Sequence, residues 1–241
     1  MTALVLSAGG MFGAYQAGVW QVIAGRIPID MVVGASVGAL NGYAIASGCT
    51  PERLIEAWRD PSAGDTLRRY PGSFRFDPAG LREQAERLMA EFTPRIPLAL
   101  TTVEFPSFKT RVFRAPAITP AHLAATCSIP VFLPMVRIDG KRQMDGGILD
   151  RMPLWIAAEA GATRIIVVDV LSRIQPWWVN AGIAAIRLLA NPQRTFQGID
   201  ITVITPSQPL GHITAASRWN RADVDRWIDL GTRHAQRTLI M

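Results

Sequence analysis

Short apolar runs alternate with longer stretches of helical periodicity along this chain. The runs have the length and composition of strands buried on both faces, and the stretches between them are apolar on at least one face of a helix. The alternation predicts an α/β domain with a largely parallel sheet between helix layers. The predicted strands are residues 3–7, 31–34, 98–104, 110–113, 163–170 and 199–205, and the predicted helices include 13–25, 37–47 and a final helix from Asn220 to the C-terminus.

Capping residues define three further helix starts. Each start has a residue whose side chain can accept an amide hydrogen bond, followed by proline at the first helical position. The three pairs are Thr50-Pro51, Asp77-Pro78 and Thr119-Pro120. A short hairpin is predicted over residues 136–142, and the segment 61–76 is the longest predicted loop. No repeat or linker divides the chain, so residues 1–241 are interpreted as one domain.

Composition and charge limit the class of protein. The net charge of +6 comes from dispersed arginines without a lysine-rich block, which indicates an anionic surface rather than nucleic acid as a partner. Cys49 and Cys127 are the only cysteines, too few for a disulfide framework. The first residues lack the pattern of a signal peptide, and no apolar run approaches the ~20 residues that span a bilayer. The protein is therefore expected in the cytoplasm.

The most specific motif is the run Gly34-Ala35-Ser36-Val37-Gly38, a G-x-S-x-G pattern with a predicted strand before it and a predicted helix after it. This context is typical of a nucleophile elbow, because the tight turn between strand and helix needs small residues beside the serine. The serine hydroxyl then lies at the helix N-terminus, where the helix dipole favours developing negative charge. Ser36 is therefore predicted to attack an acyl carbonyl.

A serine nucleophile also needs an oxyanion hole and a base. The first predicted strand runs into a loop with Gly9 and Gly10, whose small size lets backbone amides approach a ligand beside Ser36. Two residues compete for the role of base. His212 follows a strand and is the most suitable of the three histidines, and Asp145 lies in the turn Asp145-Gly146-Gly147 after the short hairpin.

Together these segments resemble the patatin-like phospholipase family. The residues that carry the resemblance are Ser7 to Gly18, similar to the family's oxyanion loop, Gly34–Gly38, similar to its elbow, Asp145-Gly146-Gly147, similar to its D-G-G/A motif, and Cys127–Pro134, similar to the lead-in to that motif. The resemblance covers roughly residues 3–170.

The resemblance implies a three-layer α/β/α patatin-like fold with a mostly parallel sheet. It also implies a serine acyl hydrolase that cleaves carboxylic esters of lipid-like substrates with a Ser–Asp dyad and without histidine. Ser36 is then the nucleophile and Asp145 the general base, and the amides of Gly9, Gly10 and Met11 form the oxyanion hole. No cofactor and no metal are expected.

Two features bear on the substrate. Phe12 stands where the family usually has arginine or lysine, so a phenyl ring is expected to contact the substrate and neutral esters are expected to be preferred over phospholipids. Pro176-Trp177-Trp178 precedes an apolar stretch over 183–189, which indicates either peripheral membrane contact or a helix packed on the core.

Two other functions are compatible with these residues. The first is a Ser–His–Asp esterase that uses His212, and the second is a lipid-binding domain of the same fold without turnover. The intact pair of Ser36 and Asp145 favours an enzyme over the binding domain. Replacement of His212 distinguishes the two enzymes, because only the triad enzyme depends on it.

Overall fold

The central sheet is mostly parallel, as the alternation of elements predicts. The computed structural model describes residues 1–171 and 196–239, and this part of the chain contains eight strands. They are β1 (Thr2–Leu6), β2 (Met31–Ala35), β3 (Leu98–Phe105), β4 (Lys109–Arg114), β5 (Val136–Ile138), β6 (Lys141–Asp145), β7 (Arg164–Val168) and β8 (Asp200–Ile204). Neighbouring strands are parallel in the series β3-β2-β1-β7-β8, whereas β4, β5 and β6 form antiparallel pairs.

Helices connect the strands and cover the sheet. They are α1 (Gly13–Ile23), α2 (Val37–Ala46), α3 (Pro51–Arg59), α4 (Pro78–Glu91), α5 (Pro120–Thr126), α6 (Leu154–Glu159) and α7 (Arg221–Leu239), with 3₁₀ turns at Gly10–Phe12, Pro61–Leu67, Gly146–Ile148 and Ile213–Ser217. The three predicted capping residues are confirmed, because Thr50, Asp77 and Thr119 each precede a proline that opens α3, α4 or α5. The predicted loop over 61–76 begins with a 3₁₀ turn.

Alternate residues of the parallel strands point to opposite faces of the sheet, and helices cover both faces. On one face, Leu4, Leu6 and Val32 belong to a buried cluster with side chains of α1, α2, α3 and α7. On the other face, Ala3 and Val5 pack with α6. Burial of both faces of β1 therefore explains why the run Ala3–Leu6 is apolar at every position.

Strand β3 determines which strand ends meet. Its residues 98–101 pair with β2, its residues 102–105 pair with β6, and β4 pairs along 99–104. A strand has only two edges for hydrogen bonding, and β4 overlaps both of the other stretches. Strands β2 and β6 therefore share the opposite edge of β3 and lie end to end along it.

The register fixes the meeting point of these two strands. Ala35 ends β2 opposite Thr101, and Asp145 ends β6 opposite the next residue of β3, Thr102. The two strands run toward each other because β2 is parallel to β3 and β6 is antiparallel to it. Ser36, directly after Ala35, is thereby brought beside Asp145, although 108 residues lie between them in the chain.

Within residues 1–171 and 196–239, no helix is long and apolar enough to cross a bilayer. The segment Pro176-Trp177-Trp178 and the apolar stretch over 183–189 lie outside the described residues, so their two interpretations stay predictions.

Candidate active site

Ser36 occupies a strained turn between β2 and α2. Its backbone has φ 54° and ψ −130°. Residues other than glycine adopt this combination rarely, at a cost of about 1–3 kcal/mol. The turn is forced because Asp145 takes the position on the edge of β3 into which a straight continuation of β2 would run. The elbow therefore raises the serine out of the sheet.

The two glycines of the elbow let α2 fold back against the sheet. A Cβ at Gly34 would lie 2.4 Å from the carbonyl oxygen of Gly38, and a Cβ at Gly38 would lie 2.3 Å from that of Leu6. Both distances are too short for a side chain, so the close contact between helix and strands requires glycine at both positions.

A buried threonine holds the elbow on β3. The backbone N–H of Ser36 donates to Oγ1 of Thr126 at 3.0 Å, and that hydroxyl donates to the carbonyl oxygen of Thr101 at 2.7 Å. Thr126 is fully buried at the end of α5. Its hydroxyl thus links the strained residue to the strand that also pairs with Asp145. Sequence reasoning missed this residue, because a lone threonine in a helix carries no specific signal.

Asp145 is held beside Ser36 by the backbone around it. Its N–H donates to the carbonyl of Ser128 at 3.0 Å, and its Oδ1 accepts from the N–H of Gly147 at 2.7 Å. Only 3% of the residue is exposed, and burial raises the pKa of its carboxyl to about 7, against the opposing effect of hydrogen bonds from the Ser36 side chain and Gly147. A carboxyl with this pKa can exchange protons near neutral pH.

The glycines after Asp145 are required by close packing on both sides of the turn. A Cβ at Gly146 would lie 2.3 Å from the carbonyl oxygen of Thr101, and a Cβ at Gly147 would lie 2.4 Å from the Cβ of Ala8. The turn is therefore wedged between β3 and the loop after β1. Through the D-G-G sequence, the turn that carries the Asp145 carboxylate packs directly on that loop.

Cys127 is a second neighbour of the Ser36 side chain. Burial raises the pKa of the Cys127 thiol well above its usual range, and the charge of Asp145 acts in the same direction, whereas the contact with Ser36 lowers the pKa of the thiol. The thiol is therefore neutral at physiological pH. It adds a polar contact to the serine but no charge that competes with the carboxylate.

The loop after β1 provides free amide groups at the same site. Ala8, Gly9, Gly10 and Met11 line the cavity that also contains Ser36 and Asp145. Within the described part of the chain, the amides of Gly9 and Gly10 donate to no protein acceptor, whereas that of Ala8 donates to the carbonyl of Arg151 at 3.1 Å. Gly10 has φ 56°, which favours glycine. Its amide and that of Gly9 can bind an anion.

A buried chain of hydrogen bonds ties this loop to the neighbouring helices. Nε2 of Gln16 donates to the carbonyl of Ser7 at 2.7 Å, and Nδ2 of Asn41 donates to Oε1 of Gln16 at 2.8 Å. Nε1 of Trp58 donates to Oδ1 of Asn41 at 3.0 Å. Polar residues inside the otherwise apolar helices α1 and α2 are the signal that could have identified Gln16 and Asn41 from the sequence.

The cavity has a volume of about 530 Å³ and is lined mainly by apolar side chains. Its walls come largely from α2, α3 and α4, and its wall residues include Leu40, Ala44, Leu54, Trp58, Leu81 and Leu88. A cavity of this size suits a small organic ligand, and its apolar walls suit a hydrocarbon chain. Arg69 is a cationic side chain that also lines it.

The expected contact of Phe12 with the substrate is wrong. Its side chain is fully buried, and its ring packs edge-on against Trp227 at 5.0 Å between centroids. The chain turns into α1 at this residue, which directs the ring into the core between α1 and α7 rather than into the cavity. The preference for neutral esters that was inferred from this ring therefore loses its basis.

The three histidines lie elsewhere. His122 caps α5 by bonding to Thr119, and His234 lies 3.0 Å from the hydroxyl of Tyr15. His212 is exposed and its Nδ1 lies 2.9 Å from the hydroxyl of Thr214. Among the described residues, no histidine lines the cavity that contains Ser36. The structure thus gives no support to a triad with His212.

Comparison with known proteins assigns the chain to a family. The model of the patatin-like phospholipase family matches residues 4–158, which is more than half of the chain, so the chain belongs to this family. Similar sequences include patatin-like phospholipase domain-containing protein 7 of Rattus norvegicus, 27% identical over 193 residues, and protein 6 of Homo sapiens, 25% identical over 201 residues.

These alignments cover 75% and 73% of this chain but only 14% of each relative, so the chain spans a small part of the length of these proteins. Among solved structures, VipD from Legionella pneumophila matches with a TM-score of 0.53 at 13% identity, over 97% of this chain and 67% of that chain. The likeness to VipD supports the patatin-like α/β fold.

The Thr126 contact predicts a loss of turnover when its hydroxyl is removed. In Thr126→Val, the buried N–H of Ser36 loses its acceptor, a change that costs about 1–3 kcal/mol. We expect kcat on a p-nitrophenyl ester to fall about 10- to 100-fold with little change in KM. Thr126→Ser keeps the hydroxyl and should retain most of the activity. Equal losses of kcat in both variants, at equal melting temperatures, would show that the hydrogen bond has no such role.

Proposed function

We propose that this protein is a serine acyl hydrolase that cleaves carboxylic esters of lipid-like substrates, with Ser36 as nucleophile and Asp145 as general base. The observation that carries the proposal is the meeting of β2 and β6 on one edge of β3, which brings the strained Ser36 beside a buried carboxyl whose pKa is raised to about 7. Membership of the patatin-like phospholipase family supports the same reaction class.

The first half of the reaction acylates Ser36. Asp145 accepts the hydroxyl proton as Oγ forms a bond to the ester carbonyl carbon. The tetrahedral intermediate then expels the alcohol, which takes the proton from Asp145. The product of this half-reaction is an ester between the acyl group and Ser36.

The second half releases the acid. Asp145 accepts a proton from water while the water oxygen attacks the acyl carbon, and the bond to Ser36 Oγ breaks as the serine recovers a proton from Asp145. In both halves the negative charge on the carbonyl oxygen is stabilised by the amides of Gly9 and Gly10, with Met11 as a third donor. The hydrogen bonds of Gln16 and Asn41 anchor the start of this loop at the carbonyl of Ser7.

The apolar cavity supports a fatty acyl group as the part of the substrate that is bound. Its walls approach Ser36 from α2, α3 and α4, so a hydrocarbon chain in the cavity would direct its carbonyl toward the serine. Arg69 at the same cavity is compatible with a phosphate-bearing alcohol group, which Phe12 had been expected to disfavour. Both neutral esters and phospholipids are therefore included in the proposal.

Loss of the nucleophile should abolish turnover without unfolding the protein. Ser36→Ala removes one hydroxyl, so we expect kcat on p-nitrophenyl butyrate to fall by several orders of magnitude with an unchanged circular dichroism spectrum. A fluorophosphonate probe should label the wild type at Ser36 and leave the variant unlabelled. Turnover near the wild-type level in Ser36→Ala would refute the proposed function.

The identity of the base is tested by a pair of variants. Asp145→Asn keeps the shape and removes the base, so its loss of kcat should approach that of Ser36→Ala. The combined variant His122→Gln/His212→Ala/His234→Ala should keep most of the activity, because glutamine at position 122 preserves the capping of α5. If the histidine variant is inactive and folded while Asp145→Asn is active, the triad with His212 replaces the proposed dyad.

The pH dependence follows from the pKa of Asp145. The base must be ionised, and its pKa is raised to about 7 by burial, so kcat/KM should increase with pH up to about 7 and level off above it. An aspartate with the pKa it has in water would place the midpoint of this increase, the acidic limb of the profile, near pH 4. The profile should be measured on a neutral ester in the histidine variant as well, so that the limb cannot be assigned to an imidazole. A midpoint near pH 4 would contradict the role of the buried carboxyl.

A further inference from the structure

Exposed apolar side chains are concentrated around the mouth of the cavity. In the described part of the chain, nine large hydrophobic residues are exposed, and six of them lie in three short segments that contain or adjoin residues lining the cavity. We call these six residues the rim: Tyr70, Phe74, Ile129, Val131, Phe132 and Ile213. Single exposed apolar residues are common on protein surfaces, whereas a group of them in one patch often marks an interaction site.

Ring contacts join two of the segments into one surface. The ring of Phe132 lies 6.4 Å from that of Phe74 and 5.9 Å from that of the buried Phe76. The N–H of Phe76 donates to the carbonyl of Phe132 at 2.9 Å. Ile129, Phe132 and Ile213 also line the cavity, so the rim is continuous with its walls.

Val131 has two unfavourable properties for a residue of a water-exposed loop. It is 69% exposed, and its φ of 76° is in the left-handed region, which is strained for a β-branched side chain. Neither property improves the packing of the protein itself. A surface that covers the rim would remove the cost of exposing this side chain to water.

The charges beside the rim are positive. The segment Arg68–Phe76 contains Arg68, Arg69 and Arg75 and no acidic residue. Arg68 forms an ion pair with Asp77 at 3.0 Å, and Arg69 lies over the ring of Phe76 at 5.4 Å. In the described part of the chain, no carboxylate pairs with Arg69 or Arg75. Two unpaired guanidinium groups thus flank the apolar side chains.

We propose that the rim docks on a lipid bilayer with anionic head groups and positions the cavity mouth at the membrane surface. Aromatic and aliphatic side chains flanked by arginine fit the boundary between head groups and acyl chains, where the rings enter the apolar region and the guanidinium groups bind phosphate. The proposal rests on the proposed function, since it explains how a membrane ester reaches Ser36 without leaving the bilayer. Docking brings the cavity mouth into direct contact with acyl chains.

Docking can be tested without turnover in the full-length Ser36→Ala protein. We expect sedimentation with equimolar phosphatidylcholine/phosphatidylglycerol vesicles and weaker binding to phosphatidylcholine alone. Phe74→Ser combined with Val131→Thr should weaken binding about tenfold, because two apolar contacts are lost. Val203→Thr is the matched control, since Val203 is 47% exposed on β8, away from the cavity mouth.

The charged contribution has its own control. Arg75→Gln should weaken binding to the anionic vesicles about fivefold, whereas Arg26→Gln, which removes the same charge just beyond the far end of α1, should not. Equal binding by rim and control variants overturns the proposal. Failure of the Ser36→Ala protein with an intact rim to bind vesicles also overturns it, as does self-association in solution that the rim variant abolishes.

Activity on a soluble ester separates this proposal from the proposed function. With Ser36 intact, the variants at Phe74, Val131 and Arg75 should hydrolyse p-nitrophenyl butyrate like the wild type, because these side chains do not line the cavity. On vesicles that contain the ester substrate, the same variants should be slower. Normal hydrolysis without vesicle binding refutes the docking surface alone, whereas turnover by Ser36→Ala refutes the hydrolase.

Discussion

The sharing of one edge of β3 by two strands is the constraint on which the rest of the site depends. Because β4 occupies the other edge, β2 and β6 must lie end to end, and their last residues face adjacent positions of β3. Ser36 has to turn out of the sheet at this junction, which explains its strained backbone. Ser36 and the Asp145 carboxyl are thus brought together by main-chain pairing, and no flexible side chain is needed to join them.

Burial of that junction gives the carboxyl its chemistry. An exposed aspartate is fully ionised at neutral pH and is a weak base, whereas burial raises the pKa of Asp145 to about 7. The apolar walls that exclude water from the carboxyl are continuous with the cavity proposed to bind the acyl chain. The same packing therefore raises the pKa of the proposed base and forms the cavity proposed for the substrate. The rim extends this apolar surface outward to the point where a bilayer can contact it.

Much of this arrangement could be predicted from residues 1–50 and from the turn at Asp145. Parallel strands that are buried on both faces leave an unbroken apolar run, and tight turns leave glycines, so the elbow and the fold class are visible in the sequence. The shared edge of β3 is not, because strand register across 100 residues leaves no local pattern. The contact of Phe12 is hidden from the sequence for a related reason. Its place in the loop was clear, but the direction of its ring depends on its packing against Trp227.

Titration of the Asp145 carboxyl by ¹³C NMR tests the central claim most directly, because it observes the contact between the two residues without substrate. The wild type should titrate with a pKa of about 7, and Ser36→Ala should titrate higher, since the hydrogen bond from Ser36 lowers the pKa of the buried carboxyl. A pKa near the ordinary value of about 4 that is unchanged in Ser36→Ala would contradict the account, because the carboxyl would then be neither buried nor in contact with the serine.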